Sequence, residues 1–245
     1  MRTYGDPQNP PILFLHGIRL AGTIWDAHAR ALSDEFFVVT PDLPGHGALA
    51  DLPFEIAVYD PYLAYIADHV TLRPPVVVGY SLGGYVAMRY ATDLPDHTAG
   101  LLICGCSADI TGIRALLYEA AVAFGAQLSA TGLQNVLSFF FRLTLPRRVA
   151  DTVIPLRFNK RVFETSRKTA VGVRYSDRLR RYGKPVAIVN GEFDPIFRAD
   201  EQIYARAGNA EVSIIKGGDH AAPLCRPHEF SEIVRQFARK VYGGT

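Results

Sequence analysis

A serine held between glycines, Gly79-Tyr80-Ser81-Leu82-Gly83, follows the apolar run Val76–Val78. Serine is a weak nucleophile until a base removes its proton, and histidine is the side chain whose ordinary pKa suits that task near neutrality. The base in turn needs an acid that holds its tautomer and stabilises the imidazolium it becomes. A serine, a histidine and a carboxylate in that relation perform acyl transfer. A serine at a sharp strand-to-helix turn is lifted above the sheet edge, and the strand and helix then approach so closely that only small residues fit two positions before and after it. Gly79 and Gly83 occupy those positions. The N–H of Leu82 then opens a helix, where unpaired donors and the helix dipole favour developing negative charge.

Seven histidines compete for the role of base. His220, in KGGDH, comes directly after the last strand candidate, in a loop that returns it to the sheet edge near the serine. His228 sits at a helix start and reads as a surface residue, while His28, His69 and His97 read as ordinary polar residues in or near helices. His16, in LFLHGI, reads as a hydrogen-bonded turn residue. Gly17 behind it allows a tight turn, so the Ile18 N–H can act with that of Leu82 as an oxyanion hole. Asp194, in NGEFD after the preceding strand, has the position expected of the acid. Asp109 is its main rival. Asp219 adjoins His220, and neighbouring side chains on an extended loop point apart.

Strands and helices must bring these residues together. Six short apolar, β-branched runs read as strands: Ile12–Leu15, Phe36–Thr40, Val76–Gly79, Gly100–Cys104, Val186–Val189 and Val212–Ile215. Their near-continuous hydrophobicity implies burial on both faces, as in a parallel sheet between helices, so the class is α/β. Amphipathic spacing predicts helices at about Thr23–Ser33, Pro61–Thr71, Leu82–Asp93, Ala199–Ala207 and His228–Tyr242. From Ser107 to Gly183 no strand is visible, only helix-like stretches such as Arg114–Ala126 and Gln134–Leu143. The expected organisation is a core domain of residues 1–106 and 184–245 with a helical lid at 107–183.

Composition sets the outer bounds. The chain has 245 residues, 49% hydrophobic and 20% charged, which suits one globular domain carrying an insertion. A net charge of +2 points to no nucleic-acid partner. Cys104, Cys106 and Cys225 read as free thiols, and a Cys-x-Cys pair without further ligands is a poor zinc signal. The start, MRTYGDPQNPP, lacks the apolar stretch of a secretory signal, and no apolar run approaches a membrane span, so a cytoplasmic location is expected. The charge is uneven, however. Residues 107–184 carry 14 Lys or Arg against 5 Asp or Glu. Arg147, Arg148, Arg157, Lys160, Arg161, Arg167 and Lys168 either solvate helix surfaces or face the cleft beside Phe139, Phe140 and Phe141 and attract an acidic substrate or partner.

The motifs LFLHG, DLPGHG (Asp42–Gly47), GYSLGG, NGEFD and GGDH, in this order and over nearly the whole chain, resemble the α/β-hydrolase fold family. The resemblance implies a Ser81 nucleophile, His220 base, Asp194 acid, Ile18 and Leu82 backbone donors, no metal or organic cofactor, and a helical lid. It gives His46 a structural role. It implies hydrolysis of an ester, lactone or thioester of a small molecule through an acyl-enzyme. Some members use the same residues for carbon–carbon cleavage or elimination, as in the menaquinone-pathway synthase, and the fold can also carry a non-catalytic receptor. Eleven residues precede the strand at Ile12, too few for the two leading antiparallel strands many members have, so a sheet of six or seven strands is expected.

Overall fold

The structure is a computed structural model and describes residues 1–243. Seven strands form one sheet: β1 (Arg2–Tyr4), β2 (Pro11–Leu15), β3 (Phe37–Thr40), β4 (Val76–Tyr80), β5 (Gly100–Cys104), β6 (Val186–Gly191) and β7 (Glu211–Ile215). Their spatial order is β1-β3-β2-β4-β5-β6-β7. Every neighbouring pair is parallel except β1 with β3. The β1 strand extends the sequence reading, which had six strands. Its residues show no apolar run because an edge strand pairs on one side only and needs no buried pattern. One leading antiparallel strand is therefore present.

The central strands alternate their apolar side chains between two buried layers, which is why they read as unbroken hydrophobic runs. Ile12, Phe14, Val76 and Val78 pack toward Trp25, Phe230 and Val234. Leu13, Leu15 and Val77 pack toward Leu63, Val86 and Tyr90. The first layer is covered by α1 (Asp26–Leu32) and, further along the chain, by the helix at Pro227–Gly243. The second is covered by α2 (Ile56–His69) and α3 (Leu82–Asp93). α2 begins at Ile56 rather than at Pro61. Proline favours a first helical turn, but here it sits inside the helix, where it forgoes one backbone hydrogen bond.

Six helices lie between β5 and β6: α4 (Gly112–Gln127), α5 (Ala130–Thr144), α6 (Arg147–Val153), α7 (Val162–Thr165), α8 (Arg167–Ala170) and α9 (Tyr175–Leu179). The end of this insertion rejoins the core, since Tyr175, Leu179 and Tyr182 belong to the same buried cluster as α3. Three helices follow: α10 (Glu201–Gly208), α11 (Ala222–Cys225) and α12 (Pro227–Gly243). No helix among the described residues is long and apolar enough to cross a membrane. The chain passes from β2 outward to β3 and then back across to β4, so the crossovers diverge at the paired β2 and β4. In such sheets the crevice at the carboxyl ends of the diverging strands is where ligands bind. Ile18 follows β2 and Ser81 follows β4 at that crevice.

Candidate active site

Ser81 occupies the turn between β4 and α3 with φ 52° and ψ −120°, a conformation that side chains other than glycine rarely adopt. Its N–H donates to the Cys104 carbonyl on the neighbouring strand at 2.9 Å, and its own carbonyl accepts from Gly84 N–H at 2.9 Å. The turn is possible because of what is missing around it. A Cβ on Gly79 would stand 2.6 Å from the Gly83 carbonyl oxygen and 2.7 Å from Ala87 Cβ. One on Gly83 would collide with the carbonyl oxygens of Leu15 and His16.

The structure brings three of the expected side chains into one chain of hydrogen bonds. His220 Nε2 lies 3.1 Å from Ser81 Oγ, and His220 Nδ1 lies 2.8 Å from Asp194 Oδ2. The carboxylate oxygen can only accept while ionised, so Nδ1 carries the hydrogen and Nε2 is left as the acceptor for the serine proton. Asp194 is 2% exposed. Burial pushes its pKa up, but the bond from His220 and backbone N–H donors from Phe197 (3.2 Å) and Ile196 (3.3 Å) outweigh it, and the carboxyl ends below its ordinary value. The imidazole stacks on Phe197 with ring centres 5.2 Å apart and lies 5.3 Å from Tyr80.

The rival carboxylates are engaged elsewhere. Asp109 accepts from Tyr204 Oη at 2.7 Å and Ser176 Oγ at 2.7 Å, tying the start of the insertion to α10 and α9. Asp219 accepts from the N–H of Ala221 at 2.8 Å and so closes its own turn. Ile18 and Leu82 both border the cavity that contains Ser81, and among the described residues neither N–H has an acceptor.

His16 and His46 are buried and serve the turns. His16 Nδ1 donates to the Gly17 carbonyl at 2.8 Å, and Nε2 accepts from Leu43 N–H at 2.9 Å, so the ring clips the turn after β2 to the turn after β3. Burial pulls its pKa down to about 4 and that of His46 down to about 3. Both rings are neutral at physiological pH. Asp42 braces the same region, accepting from Gly22 N–H at 2.7 Å and Ala48 N–H at 2.9 Å. His28 is also buried, 2.9 Å from Ser231 Oγ between α1 and α12, whereas His228 is exposed. His228 lies at the surface as expected, and His28, expected as an ordinary polar residue of an early helix, is buried in the core.

A cavity of about 690 Å³ opens above Ser81. Its walls are Leu117 and Phe124 of α4, Leu133, Val136, Leu137 and Phe140 of α5, Tyr85 of α3, and the Pro195–Phe197 loop beside Asp194. Arg114 is the charged residue among them, and Asp200 already holds its guanidinium on two nitrogens. None of the seven basic residues singled out from the insertion borders this cavity. Arg167 pairs with Glu119 at 2.9 Å and Arg147 with Asp151 at 3.7 Å, while Lys160 donates to the carbonyls that end α4. Phe140 reaches the cavity; Phe139 is an exposed neighbour. Cys104 and Cys106 are buried thiols, and burial raises both pKa values. Among the described residues no group of three or more His, Cys, Asp or Glu is placed as metal ligands would be.

Two residues beside the site escape a search by residue type. Gly105 follows β5 with φ 59°, and a Cβ there would stand 2.9 Å from the His220 ring. Its signal is a glycine at the end of the strand next to the serine. Arg19 is buried next to Ile18; its signal is a lone charge in an otherwise apolar stretch.

The chain belongs to the alpha/beta hydrolase family, whose sequence profile matches residues 12–233. It is 39% identical over 100 residues to a pimeloyl-[acyl-carrier protein] methyl ester esterase of Chromobacterium violaceum, covering 41% of this chain and 38% of that one. The corresponding esterase of Xanthomonas axonopodis pv. citri is 27% identical over 256 residues, covering 95% of this chain and 96% of the relative. The match to the first curated relatives spans 36% of their length, about a third. Among solved structures, a thermophilic esterase from Thermogutta terrifontis superposes with a TM-score of 0.81 at 22% identity, covering 98% of this chain and 92% of that one. At that identity the likeness speaks to the fold alone.

Proposed function

We propose that the protein hydrolyses a carboxylic ester of a small molecule through an acyl-enzyme on Ser81. The observation that carries this reading is the hydrogen-bonded chain from Ser81 through His220 to Asp194, ending at the floor of an apolar cavity. Ser81 Oγ attacks the ester carbonyl as its proton passes to His220 Nε2, and Asp194 stabilises the imidazolium. The oxyanion accepts hydrogen bonds from the N–H groups of Ile18 and Leu82. Collapse breaks the carbon–oxygen bond, and His220 returns the proton to the leaving alcohol. A water activated by the same nitrogen then attacks the acyl-enzyme and frees the acid.

The insertion at 107–183 acts as the lid and sets the substrate. Its contribution to the cavity is apolar, and Arg114 is neutralised by Asp200, so the site fits an apolar acyl chain on a neutral ester better than an acidic one. The ester-cleaving relatives support the reaction class.

The test is a panel of p-nitrophenyl esters of increasing acyl length, with an organophosphonate label located by mass spectrometry. The expected result is turnover, an adduct on Ser81, and loss of both by several orders of magnitude in Ser81→Ala. Full activity in that variant, or an adduct on another residue, overturns the assignment.

A further inference from the structure

The loop that carries Ile18 continues into Arg19. Three described residues other than glycine have positive φ: Arg19 at 62°, Ser81 at 52° and Asn209 at 47°. Asn209 closes α10, where asparagine tolerates that conformation, and Ser81 is the sharp turn of the site. Arg19 is the third residue of the turn Gly17–Leu20, closed by Leu20 N–H to the Gly17 carbonyl at 3.2 Å, a position that needs positive φ and favours glycine or asparagine. The cost of placing a long side chain there is offset by what that side chain grips. The residue is 2% exposed. Its guanidinium carbon lies 4.7 Å from the ring centre of Phe141 and 4.9 Å from that of Phe158, and Nη2 donates to Gln134 Oε1 at 3.2 Å. Nε and Nη1 have no acceptor and no carboxylate pairs with the charge among the described residues. Burial lowers the pKa to about 10, which leaves the group charged at neutral pH.

The gripping residues come from two bodies. Gln134 and Phe141 stand on α5, the helix whose Leu133, Val136, Leu137 and Phe140 wall the cavity. Phe158 lies in a segment tied to the turn after β3: Asn159 N–H donates to Gly45 O at 2.7 Å, and Gly47 N–H to Arg157 O at 2.8 Å. Gln134 is itself fixed by its donation to the Ile154 carbonyl at 2.8 Å. A leucine would fill the same space without desolvating a charge, so packing alone does not account for an arginine here. A planar cation between two rings, with a fixed fork of donors, does what no aliphatic side chain can.

We propose that Arg19 is the positioning residue of the oxyanion hole. By gripping α5 and Phe158 it holds the 17–19 loop in the backbone conformation that directs the Ile18 N–H to the serine, and it couples that donor to the position of the insertion. The proposal rests on the reading of Ile18 as an oxyanion donor. Arg19→Met, Arg19→Lys, Gln134→Ala and Phe141→Ala are to be compared with wild type on one neutral ester. The readouts are kcat and KM taken separately, the rate of Ser81 phosphonylation, and Tm. Losing one oxyanion donor lowers kcat by about 10²-fold or more in enzymes of this kind. Arg19→Met is therefore expected to lower kcat on the order of 10²-fold and to slow phosphonylation in parallel, with KM within about threefold. Arg19→Lys recovers little, because a point charge cannot bridge the two rings. Gln134→Ala and Phe141→Ala each lower kcat by less, and add nothing when combined with Arg19→Met. A lower Tm with kcat intact makes Arg19 a packing residue and overturns the proposal. A raised KM with kcat intact makes it a substrate contact and overturns it equally. If Arg19→Met does not fold, the Gln134→Ala/Phe141→Ala pair decides by the same readouts. A wild type that neither turns over esters nor takes a phosphonate on Ser81 overturns the hydrolase reading itself, and the oxyanion role with it.

Discussion

Asp194 divides its two oxygens between His220 and the backbone. Oδ2 accepts from His220, while Oδ1 accepts from Ile196 and Phe197. That arrangement keeps the carboxyl ionised through the neutral range and fixes which nitrogen of His220 carries hydrogen. Asp194→Asn leaves the shape but presents an amide where a carboxylate stabilised the imidazolium, so kcat is expected to fall on the order of 10⁴-fold, as in other triads. Asp109→Asn keeps kcat and instead loosens the contacts with Tyr204 and Ser176, at a cost of about 1–3 kcal/mol in urea unfolding. Equal loss of turnover in the two variants would remove Asp194 from the role of acid. The choice between these carboxylates was already legible in chain order, because Asp194 follows the strand before the one that leads to His220. That Asp109 is consumed by two hydroxyl donors was not legible, since both lie at least 67 positions away in the chain.

At the scale of elements, β4, α3 and the turn between them act as one unit whose tolerance is set by backbone rather than side chains. An added methyl on Gly83 meets the carbonyls of Leu15 and His16, which cannot move without breaking the turn after β2. Gly83→Ala is expected to cost at least the 1–3 kcal/mol typical of overpacking, measured by urea unfolding, together with most of the activity. Gly105→Ala tests the other side of the site. Its Cβ would press on the His220 ring, so kcat should drop, whereas Gly112→Ala, also at positive φ but with nothing within 4 Å, should show only the backbone strain in its stability. Equal kcat in both variants would mean the His220 ring is not constrained by the β5 end. The glycines around Ser81 announced this crowding in the sequence. The start of α2 was misplaced because Pro61 mimics a helix start from inside the helix.

For the whole molecule, His16, His28 and His46 are buried neutral groups whose folded pKa values lie below the ordinary 6.5, at about 4, about 4 and about 3. The unfolded chain takes up these protons first as pH falls, so the native state loses stability from about pH 6.5 downward, while above 6.5 their contribution is flat. Each proton amounts to about 1.4 kcal/mol per pH unit, and three together give a slope approaching 4 kcal/mol per unit between about pH 6 and 4. Against a total on the order of 5–15 kcal/mol, that slope is expected to remove a large share of the stability by about pH 4. Urea titrations at a series of pH values measure it directly, and a stability unchanged from pH 7 to 5 would show that these rings are not held neutral.

What the sequence determined by itself is the class, the family and the order along the chain of the residues the fold brings together, Ser81, Asp194 and His220. Parallel strands buried on both faces must be apolar throughout, a tight serine turn must be flanked by glycines, and both constraints are local enough to be written in consecutive residues. The tertiary structure decided everything that depends on atoms distant in sequence. It showed that the seven basic residues singled out in the insertion lie outside the apolar cavity, with Arg114 the one basic residue at its wall among the described residues, because a helix can turn its charges to solvent on one face while walling a cleft with the other, and composition averages the two. It also placed Arg19, a lone charge in an apolar stretch, between the rings of Phe141 and Phe158, more than a hundred positions away, where the burial of an unpaired cation becomes visible only once the chain is folded.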